Sequence, residues 1–273
     1  MNRSATPPPR RADGWITAPQ RGTAPAVRLF CLPYAGGAAS AYARWPASFG
    51  GEVEVCGIEL PGRQSRFGEQ PYTRMGTLVD ALASAIEPEL GLPYALFGHS
   101  MGSLVAFELA RELRRRGITG PQVLFVSGGP APQSRQARPR VHDREDAVVI
   151  DRMRSLGGIS EEILAERELM ELLLPTIRAD FELIDTYAYR PGLPLACPVV
   201  AFSGTEDRDV PAARVRLWGE HTSAAFSHHE LPGDHFFLRS AQEQLLRRVR
   251  ASLAEACAPE GRSGGTEPGP APA

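Results

Sequence analysis

The sequence has no long hydrophobic run, and its positive and negative charges nearly balance. No apolar stretch approaches the roughly 18 residues that a membrane-spanning helix requires, so no membrane span is expected. The formal net charge of −2 gives no electrostatic argument for binding nucleic acid or a membrane surface. Residues 1–25 are rich in proline, arginine and alanine and lack the continuous apolar segment of a secretory signal. These absences argue against membrane, secreted and nucleic-acid-binding proteins.

Cysteine is scarce, with four residues at Cys31, Cys56, Cys197 and Cys257. None is closely spaced with another, so neither a disulfide framework nor a cysteine-ligated metal site is expected. Three of them lie in strand-like apolar runs, where a free cysteine behaves as a small hydrophobic residue. We therefore expect a reduced, cytoplasmic protein with no metal and no cofactor.

What the sequence does contain is a regular alternation of short apolar runs with helical patterns. At 273 residues and 42% hydrophobic content, the chain can build one large domain with a substantial core. Strands that are apolar on both faces and separated by helices indicate a mostly parallel α/β sheet with helices on both faces. The predicted strands are Val27–Leu32, Val53–Leu60, Ala95–Phe97, Val123–Val126, Val199–Ser203 and Phe226–Leu231. The predicted helices are Tyr42–Phe49, Met75–Ile86, Met101–Arg116, Glu161–Tyr187, Ala212–His221 and Ala241–Cys257.

Composition also predicts the limits of that domain. Residues 1–25 read as a flexible N-terminal arm, in which Trp15 and Ile16 are candidates to dock locally. Residues 259–273, rich in glycine, proline, glutamate and alanine, read as a disordered C-terminal tail. The α/β domain is therefore expected over residues 26–258.

Residues 130–189 interrupt the alternation, because they contain helical patterns and no convincing strand. An arginine-rich loop opens the segment, and Pro175 is placed to kink or split a later helix. An insertion of this length between two strands predicts a helical lid over the carboxyl edge of the sheet. The alternative is an extra helical layer with no gating role.

The most informative motif is Gly98-His99-Ser100-Met101-Gly102, which reads G-x-S-x-G. It follows a strand-like run and precedes a helical pattern, the context in which this motif presents a serine on a sharp strand-to-helix turn. The helix that follows directs its N-terminal N–H groups towards the serine and favours negative charge on a reacting oxygen. Ser100 is therefore the predicted nucleophile, against the alternative of a glycine-rich turn without chemistry.

A serine nucleophile needs a base to take its proton and an acid to orient that base. In an open α/β sheet both come from loops after later strands, in the order serine, acid, histidine. The loop after the strand at residues 199–203 holds three acids. Asp207 is the predicted acid because it lies in the middle of that loop, and Glu206 and Asp209 are open alternatives.

Four histidines follow that loop. His235 comes after a turn and before an apolar run, which places it on a strand-to-helix loop at the sheet edge. His221 ends a helical pattern and is expected at the surface, and His228 and His229 lie inside a strand-like run. His235 is therefore the predicted base.

An oxyanion hole needs two backbone N–H donors aimed at the developing negative charge. One is expected from Met101, the residue after the nucleophile. The other is expected from the glycine-containing loop at residues 33–38, which follows the first predicted strand. Ala35 is the predicted donor and Tyr34 the alternative, unless this loop is an ordinary turn.

Five stretches carry a family resemblance: Leu32-Pro33-Tyr34-Ala35-Gly36-Gly37, Leu60-Pro61-Gly62-Arg63-Gln64-Ser65-Arg66, Gly98-His99-Ser100-Met101-Gly102, Leu174-Pro175-Thr176-Ile177-Arg178-Ala179-Asp180-Phe181 and Gly233-Asp234-His235-Phe236-Phe237. Together they span about residues 27–255. They resemble the stand-alone type II thioesterases of polyketide and nonribosomal peptide synthesis, within the α/β-hydrolase superfamily. The second and fourth stretches discriminate best, since general lipases and esterases lack them.

The resemblance implies an α/β-hydrolase fold and places the acid of the triad at Asp207. The sequence departs from the family at Ile177, where leucine is usual, and at Tyr34, where histidine or phenylalanine is common. Neither position is a proposed catalytic side chain. Tyr34, Leu174, Ile177 and Phe181 are the residues that we expect at the substrate or in the lid.

The resemblance also implies a function. Members of the family are serine thioesterases that remove aberrant or stalled acyl groups from the phosphopantetheine thiol of acyl or peptidyl carrier proteins. We therefore expect a carrier protein as partner, which the arginines near Arg138 and Arg140 could meet unless they belong to a solvated loop. A monomer that needs no cofactor is expected.

Three other functions stay open at this point. They are a carboxylesterase or lipase acting on oxygen esters, a thioesterase that releases a finished product, and a non-catalytic protein that binds carrier proteins. A complete set of Ser100, Asp207 and His235 argues against the last, because a protein that only binds needs no triad.

Overall fold

A seven-stranded sheet forms the centre of the molecule, with strand order β1-β3-β2-β4-β5-β6-β7. The computed structural model describes residues 14–17, 25–135 and 139–258. All neighbouring strands are parallel except β1, which pairs antiparallel with β3 at the edge. The strands are β1 (Ile16–Thr17), β2 (Val27–Leu32), β3 (Val53–Ile58), β4 (Tyr94–His99), β5 (Leu124–Ser127), β6 (Val199–Gly204) and β7 (Phe226–Leu231).

Helices connect the parallel strands, as a parallel sheet requires. Short 3-10 turns supplement them, at Ala39–Tyr42 and Trp45–Ser48 among other places. The α-helices are α1 (Met75–Ile86), α2 (Met101–Arg115), α3 (Asp146–Leu156), α4 (Glu161–Ala165), α5 (Arg167–Asp185), α6 (Ala212–Arg216), α7 (Phe237–Ser240) and α8 (Gln242–Ala256).

Helices cover both faces of the sheet, and successive side chains of each strand point to opposite faces. In β2, Phe30 and Leu32 pack in the core beneath α1 and α2. Leu29 and Cys31 pack on the other face, in the core that contains α8. This two-sided burial is the physical reason why the strands read as continuous apolar runs.

Helices α3, α4 and α5 all lie between β5 and β6, within the insertion predicted from the sequence. They have an apolar cluster of their own, which includes Val149, Met153, Leu174, Ile177 and Phe181. The insertion is therefore a layer of helices with its own apolar core, and not a set of irregular loops.

Three predicted helices differ from the observed ones. The one predicted at Ala212–His221 is α6 followed by a 3-10 turn at Leu217–His221. The segment predicted as one helix at Tyr42–Phe49 forms two 3-10 turns, and Pro46 lies at the start of the second, where its missing N–H costs nothing. The long lid helix breaks at Glu166, with ψ at 95°, and continues through Pro175 as α5. Because Pro175 is exposed, the carbonyl that it cannot bond faces solvent, and the helix tolerates it.

Part of the predicted N-terminal arm is docked. Trp15 is buried with the Arg66 guanidinium 4.0 Å from its ring centroid, and Ile16 pairs with Ile58 of β3. Residues 1–13, 18–24 and 136–138, the last of which include Arg138, and the predicted tail at 259–273 lie outside the described residues. No helix in the described part of the chain is long and apolar enough to cross a membrane.

Candidate active site

Ser100 lies on the tight turn between β4 and α2 with φ at 54°, a conformation that non-glycine residues rarely adopt. The flanking glycines make the turn possible. A Cβ at Gly98 would lie 2.0 Å from the Gly102 carbonyl oxygen, and one at Gly102 would lie 2.4 Å from that of Leu32. The turn therefore holds the serine at the carboxyl edge of the sheet, where loops from other strands converge.

A continuous hydrogen-bonded chain joins three side chains at this edge. The Ser100 Oγ lies 3.0 Å from His235 Nε2, and the His235 Nδ1 lies 2.8 Å from Asp207 Oδ2. His235 and Asp207 are both buried, whereas Ser100 is partly accessible. This order of donor and acceptor lets the imidazole take the serine proton while the carboxylate stabilises the resulting charge.

The three acids in the loop after β6 have different contacts and exposure. Asp207 reaches His235 with one oxygen and accepts the N–H groups of Asp209 and Val210 with the other, at 2.9 and 3.0 Å. Glu206 is exposed, and Asp209 pairs with Arg152 of α3 at 2.8 Å. Only Asp207 of these three contacts the histidine.

The other three histidines lie away from Ser100. His228 contacts the Ser203 hydroxyl at 2.9 Å, and His229 packs beside Phe202, both within the sheet. The expectation that His221 lies at the surface is wrong. It is buried against aromatic rings, including that of Trp218, because it ends a 3-10 turn, Leu217–His221, that packs in the core.

The oxyanion-hole donors proposed from the sequence border the same turn. Met101 is the first residue of α2, so the helix supplies no partner for its N–H. In the loop after β2, the Gly36 N–H donates to Asp180 and the Gly37 N–H donates to the Tyr34 carbonyl. Those two donors are occupied, so the loop can offer the N–H of Ala35 or Tyr34, the two alternatives left by the sequence.

Comparison with known proteins decides what kind of hydrolase this geometry belongs to. The family model for the thioesterase domain matches residues 27–253. The gramicidin S biosynthesis protein GrsT of Aneurinibacillus migulanus is 41% identical over 246 residues, which cover 90% of this chain and 96% of that protein.

The chain belongs to the thioesterase family.

Solved structures agree with this assignment. The type II thioesterase BorB from the borrelidin biosynthetic cluster is 35% identical, with a TM-score of 0.82 over 89% of this chain and 99% of BorB. The RedJ thioesterase from the prodiginine pathway in Streptomyces coelicolor is 40% identical, with a TM-score of 0.79 over 84% of this chain and 87% of RedJ. The predicted α/β-hydrolase fold and the resemblance to type II thioesterases are confirmed, and the protein is a thioester hydrolase.

The residues expected at the substrate or in the lid of this thioesterase have different surroundings, although Leu174, Ile177 and Phe181 all belong to the lid's apolar cluster. Ile177 lies over the β2 loop, since a Cβ on Gly36 would be 3.3 Å from its Cγ1. Leu174 and Phe181 are buried in the lid's own cluster. Tyr34 is also buried, with its ring edge-on to Phe236 and its hydroxyl accepting from Arg239 at 2.7 Å.

A cavity of about 390 Å³ lies beside the β2 loop of the thioesterase. It is lined by residues of that loop, of the β3 loop and of α5, including Tyr34, Arg63, Phe67 and Leu173. Phe67 is 51% exposed at its mouth. A larger groove of about 790 Å³ runs along α1 and α2, but none of the predicted site residues lines it. The smaller cavity has Tyr34 in its lining, although Ser100 and His235 do not line it, and is the better candidate for a substrate passage.

His99, the residue before the nucleophile, is fully buried. Its Nδ1 lies 2.9 Å from the Ser127 hydroxyl, and its Nε2 has no hydrogen-bond partner among the described residues. Burial, reinforced by the nearby His235 and Arg239, holds the pKa of His99 well below its usual range. The ring therefore stays neutral, which keeps an unwanted positive charge away from His235.

Sequence reasoning missed the side chain that joins the discriminating motifs. Asp180 is buried and binds both Arg63 and the Gly36 N–H. Its neighbour Arg178 donates to the His142 carbonyl at 2.7 Å and pairs with Asp146, so it braces the lid internally. The signal that could have identified Asp180 is its position in the Ile177-Arg178-Ala179-Asp180-Phe181 segment, where an acid falls on the buried face of an amphipathic helix.

Proposed function

We propose that this thioesterase hydrolyses acyl thioesters on the phosphopantetheine arm of acyl or peptidyl carrier proteins, and that it removes aberrant or stalled acyl groups. The observation that carries the proposal is the hydrogen-bonded chain from Ser100 through His235 to Asp207. It occurs in a chain that matches BorB, a type II thioesterase from the borrelidin biosynthetic cluster, over 99% of BorB's length. Action in the cytoplasm, beside a synthase, is part of the proposal.

In the first half-reaction, His235 Nε2 takes the proton of Ser100 while the Ser100 Oγ attacks the thioester carbonyl carbon. The carbonyl π electrons move to oxygen, and the N–H groups of Met101 and Ala35 stabilise that oxyanion. The C–S bond then breaks as the oxyanion collapses. The proton on His235 passes to the leaving phosphopantetheine thiolate, and the acyl group remains on Ser100 as an ester.

In the second half-reaction, His235 accepts a proton from a water molecule that attacks the acyl-Ser100 ester. The same two N–H groups stabilise the second oxyanion. Collapse breaks the bond between the acyl carbon and the Ser100 Oγ, which recovers its proton from His235. The products are a free carboxylic acid and the regenerated enzyme, so no cofactor or co-substrate other than water is needed.

The test compares one short acyl group on three leaving groups: carrier-protein phosphopantetheine, coenzyme A and a matched alcohol. We expect the highest kcat/KM for the carrier-protein thioester and the lowest for the oxygen ester. A preference for the oxygen ester would replace the proposal with a carboxylesterase. Equal kcat/KM for the carrier-protein and coenzyme A thioesters would remove the carrier protein as a recognised partner.

A further inference from the structure

Three segments of the chain meet at the carboxylate of Asp180 on α5. Its Oδ2 accepts the Gly36 N–H at 2.8 Å and Arg63 Nη1 at 3.0 Å, and its Oδ1 accepts Arg63 Nη2 at 2.8 Å. Asp180 is 2% exposed and Arg63 is 7% exposed. This is a buried bidentate ion pair, and the same carboxylate also hydrogen-bonds the backbone of the β2 loop.

Arg63 also holds that loop directly. Its Nη1 donates to the Gly37 carbonyl at 2.8 Å. The Arg63–Asp180 pair therefore hydrogen-bonds two successive residues of the loop, Gly36 and Gly37. One helical turn before Asp180, the Thr176 hydroxyl donates to the Gly62 carbonyl at 2.6 Å. The second half of α5 is therefore fastened to the loops after β2 and β3 by buried hydrogen bonds.

The β2 loop has a geometry that needs such an anchor. The Gly37 N–H donates to the Tyr34 carbonyl at 2.8 Å and closes a four-residue turn, with Gly36 at its third position and φ at +71°. Positive φ at that position is the mark of a type II turn, and the type I alternative differs mainly by a flip of the peptide between Ala35 and Gly36. Glycine permits both conformations at little cost.

Asp180 selects one of the two conformations. Its carboxylate accepts the Gly36 N–H, which the observed conformation presents. A flipped peptide would present the Ala35 carbonyl to the same negative charge, which would repel it. The preceding peptide carries both the Ala35 N–H and the Tyr34 carbonyl, and the hydrogen bond from the Gly37 N–H to that carbonyl orients it.

We infer that Asp180 and Arg63 are positioning residues for the oxyanion hole. They touch no reacting atom, and they act by holding the turn that carries the Ala35 N–H in its productive conformation. Because Asp180 belongs to α5, the oxyanion hole is complete only while the second half of this helix is seated. The inference rests on the proposed function, since it presumes an acyl-transfer reaction at Ser100.

The test uses Asp180→Asn and Arg63→Lys, which change the side chains least. Both should lower kcat by about 100-fold, the usual effect of losing one oxyanion donor, and leave KM within about threefold. A trifluoromethyl ketone analogue of the substrate forms a tetrahedral adduct with the nucleophile and places an oxyanion in the hole. Its affinity should fall by the same factor as kcat/KM.

A matched control is Arg28→Met. Arg28 forms a partly buried ion pair with Glu54 at 2.7 Å. It lies at the start of β2, whereas the β2 loop follows the other end of the strand. This variant should lower the melting temperature and leave kcat and the analogue's affinity unchanged. All rates are normalised to the fraction of enzyme that a fluorophosphonate labels at completion.

The inference is overturned if the Asp180 and Arg63 variants bind the analogue and turn over within twofold of the wild type. It is also overturned if they only melt earlier and the labelled molecules keep the wild-type kcat, since a structural role alone gives that result. Should Asp180→Asn fail to fold, Arg63→Lys decides alone, because it keeps a cation beside the carboxylate. Full activity of Ser100→Ala would instead remove the proposed function.

Discussion

Ser100 occupies a strained backbone conformation, and such strain, about 1–3 kcal/mol, persists where the surroundings enforce it. Here Gly98 and Gly102 permit the tight turn, because the surrounding backbone leaves no space for a Cβ at either position. The strain lifts the hydroxyl away from the sheet and into reach of His235. At this scale the sequence is highly informative, because the steric requirement leaves its trace as two glycines at fixed spacing.

The choice among the three acids is a residue-scale prediction. In Asp207→Asn, the amide oxygen must face the N–H groups of Asp209 and Val210, which turns the NH₂ group towards His235. The imidazole would then carry its proton on Nε2 and could not accept one from Ser100. We expect kcat to fall by about 10²–10⁴-fold in steady-state assays.

The neighbouring Glu206→Gln is the matched control, because Glu206 is exposed and lies one residue away. Its kcat should stay close to that of the wild type. A silent Asp207→Asn together with a severe Glu206→Gln would assign the acid to Glu206 instead.

At the scale of elements, the six parallel strands and α1, α2 and α8 were predictable, because the strands are short apolar runs and each of the helices buries a consistent face. The two-residue edge strand β1 was not predicted. The break of the lid helix at Glu166 was not predictable, because no proline or glycine marks it in the sequence. Pro175, which was expected to kink or split the helix, lies inside α5 instead. The Arg63–Asp180 pair was also beyond reach as a contact. Its partners lie 117 residues apart, and only the packing of α5 on the sheet edge joins them.

A buried carboxyl group lies at the end of β3. Glu59 follows that strand, is fully buried, and neither of its carboxyl oxygens has a hydrogen-bond partner in the part of the chain that the structure describes. Burial raises the pKa of Glu59 from 4.5 to about 7, against the opposing influence of Arg63, the Ala39 N–H and Arg66.

A raised pKa in the folded state means that the native protein binds a proton more tightly than the unfolded chain does. This contribution to stability is complete below about pH 4.5 and is lost as the pH rises through about 7. Relative to Glu59→Gln, which cannot ionise, the wild type should lose up to about 3 kcal/mol of unfolding free energy over that range. Urea denaturation of both proteins between pH 5 and 8 measures it. A difference between them that does not change with pH would contradict the raised pKa.

At the scale of the whole molecule, the order of the elements brings residues from distant segments to one edge of the sheet. Ser100 follows β4, Asp207 follows β6 and His235 follows β7, and the lid inserted between β5 and β6 packs over the β2 loop. The order of these loops was predictable from the sequence, and the family resemblance implied an acyl thioester on a carrier protein as substrate. The ion pairs of the lid arginines needed the three-dimensional structure, because no sequence pattern joins Arg178 to Asp146 within the lid or Arg152 to Asp209 in the loop after β6.

The central claim is that Ser100 carries the acyl group during thioester hydrolysis. The most direct measurement is the mass of the protein after acid quenching during turnover of an acyl-carrier-protein thioester, followed by mapping of the modified peptide. We expect the mass of the peptide that contains Ser100 to increase by that of the acyl group, and Ser100→Ala should show no adduct and a rate lower by about 10³-fold or more. Hydrolysis by Ser100→Ala at the wild-type rate, with no adduct on that peptide in the wild type, would contradict it.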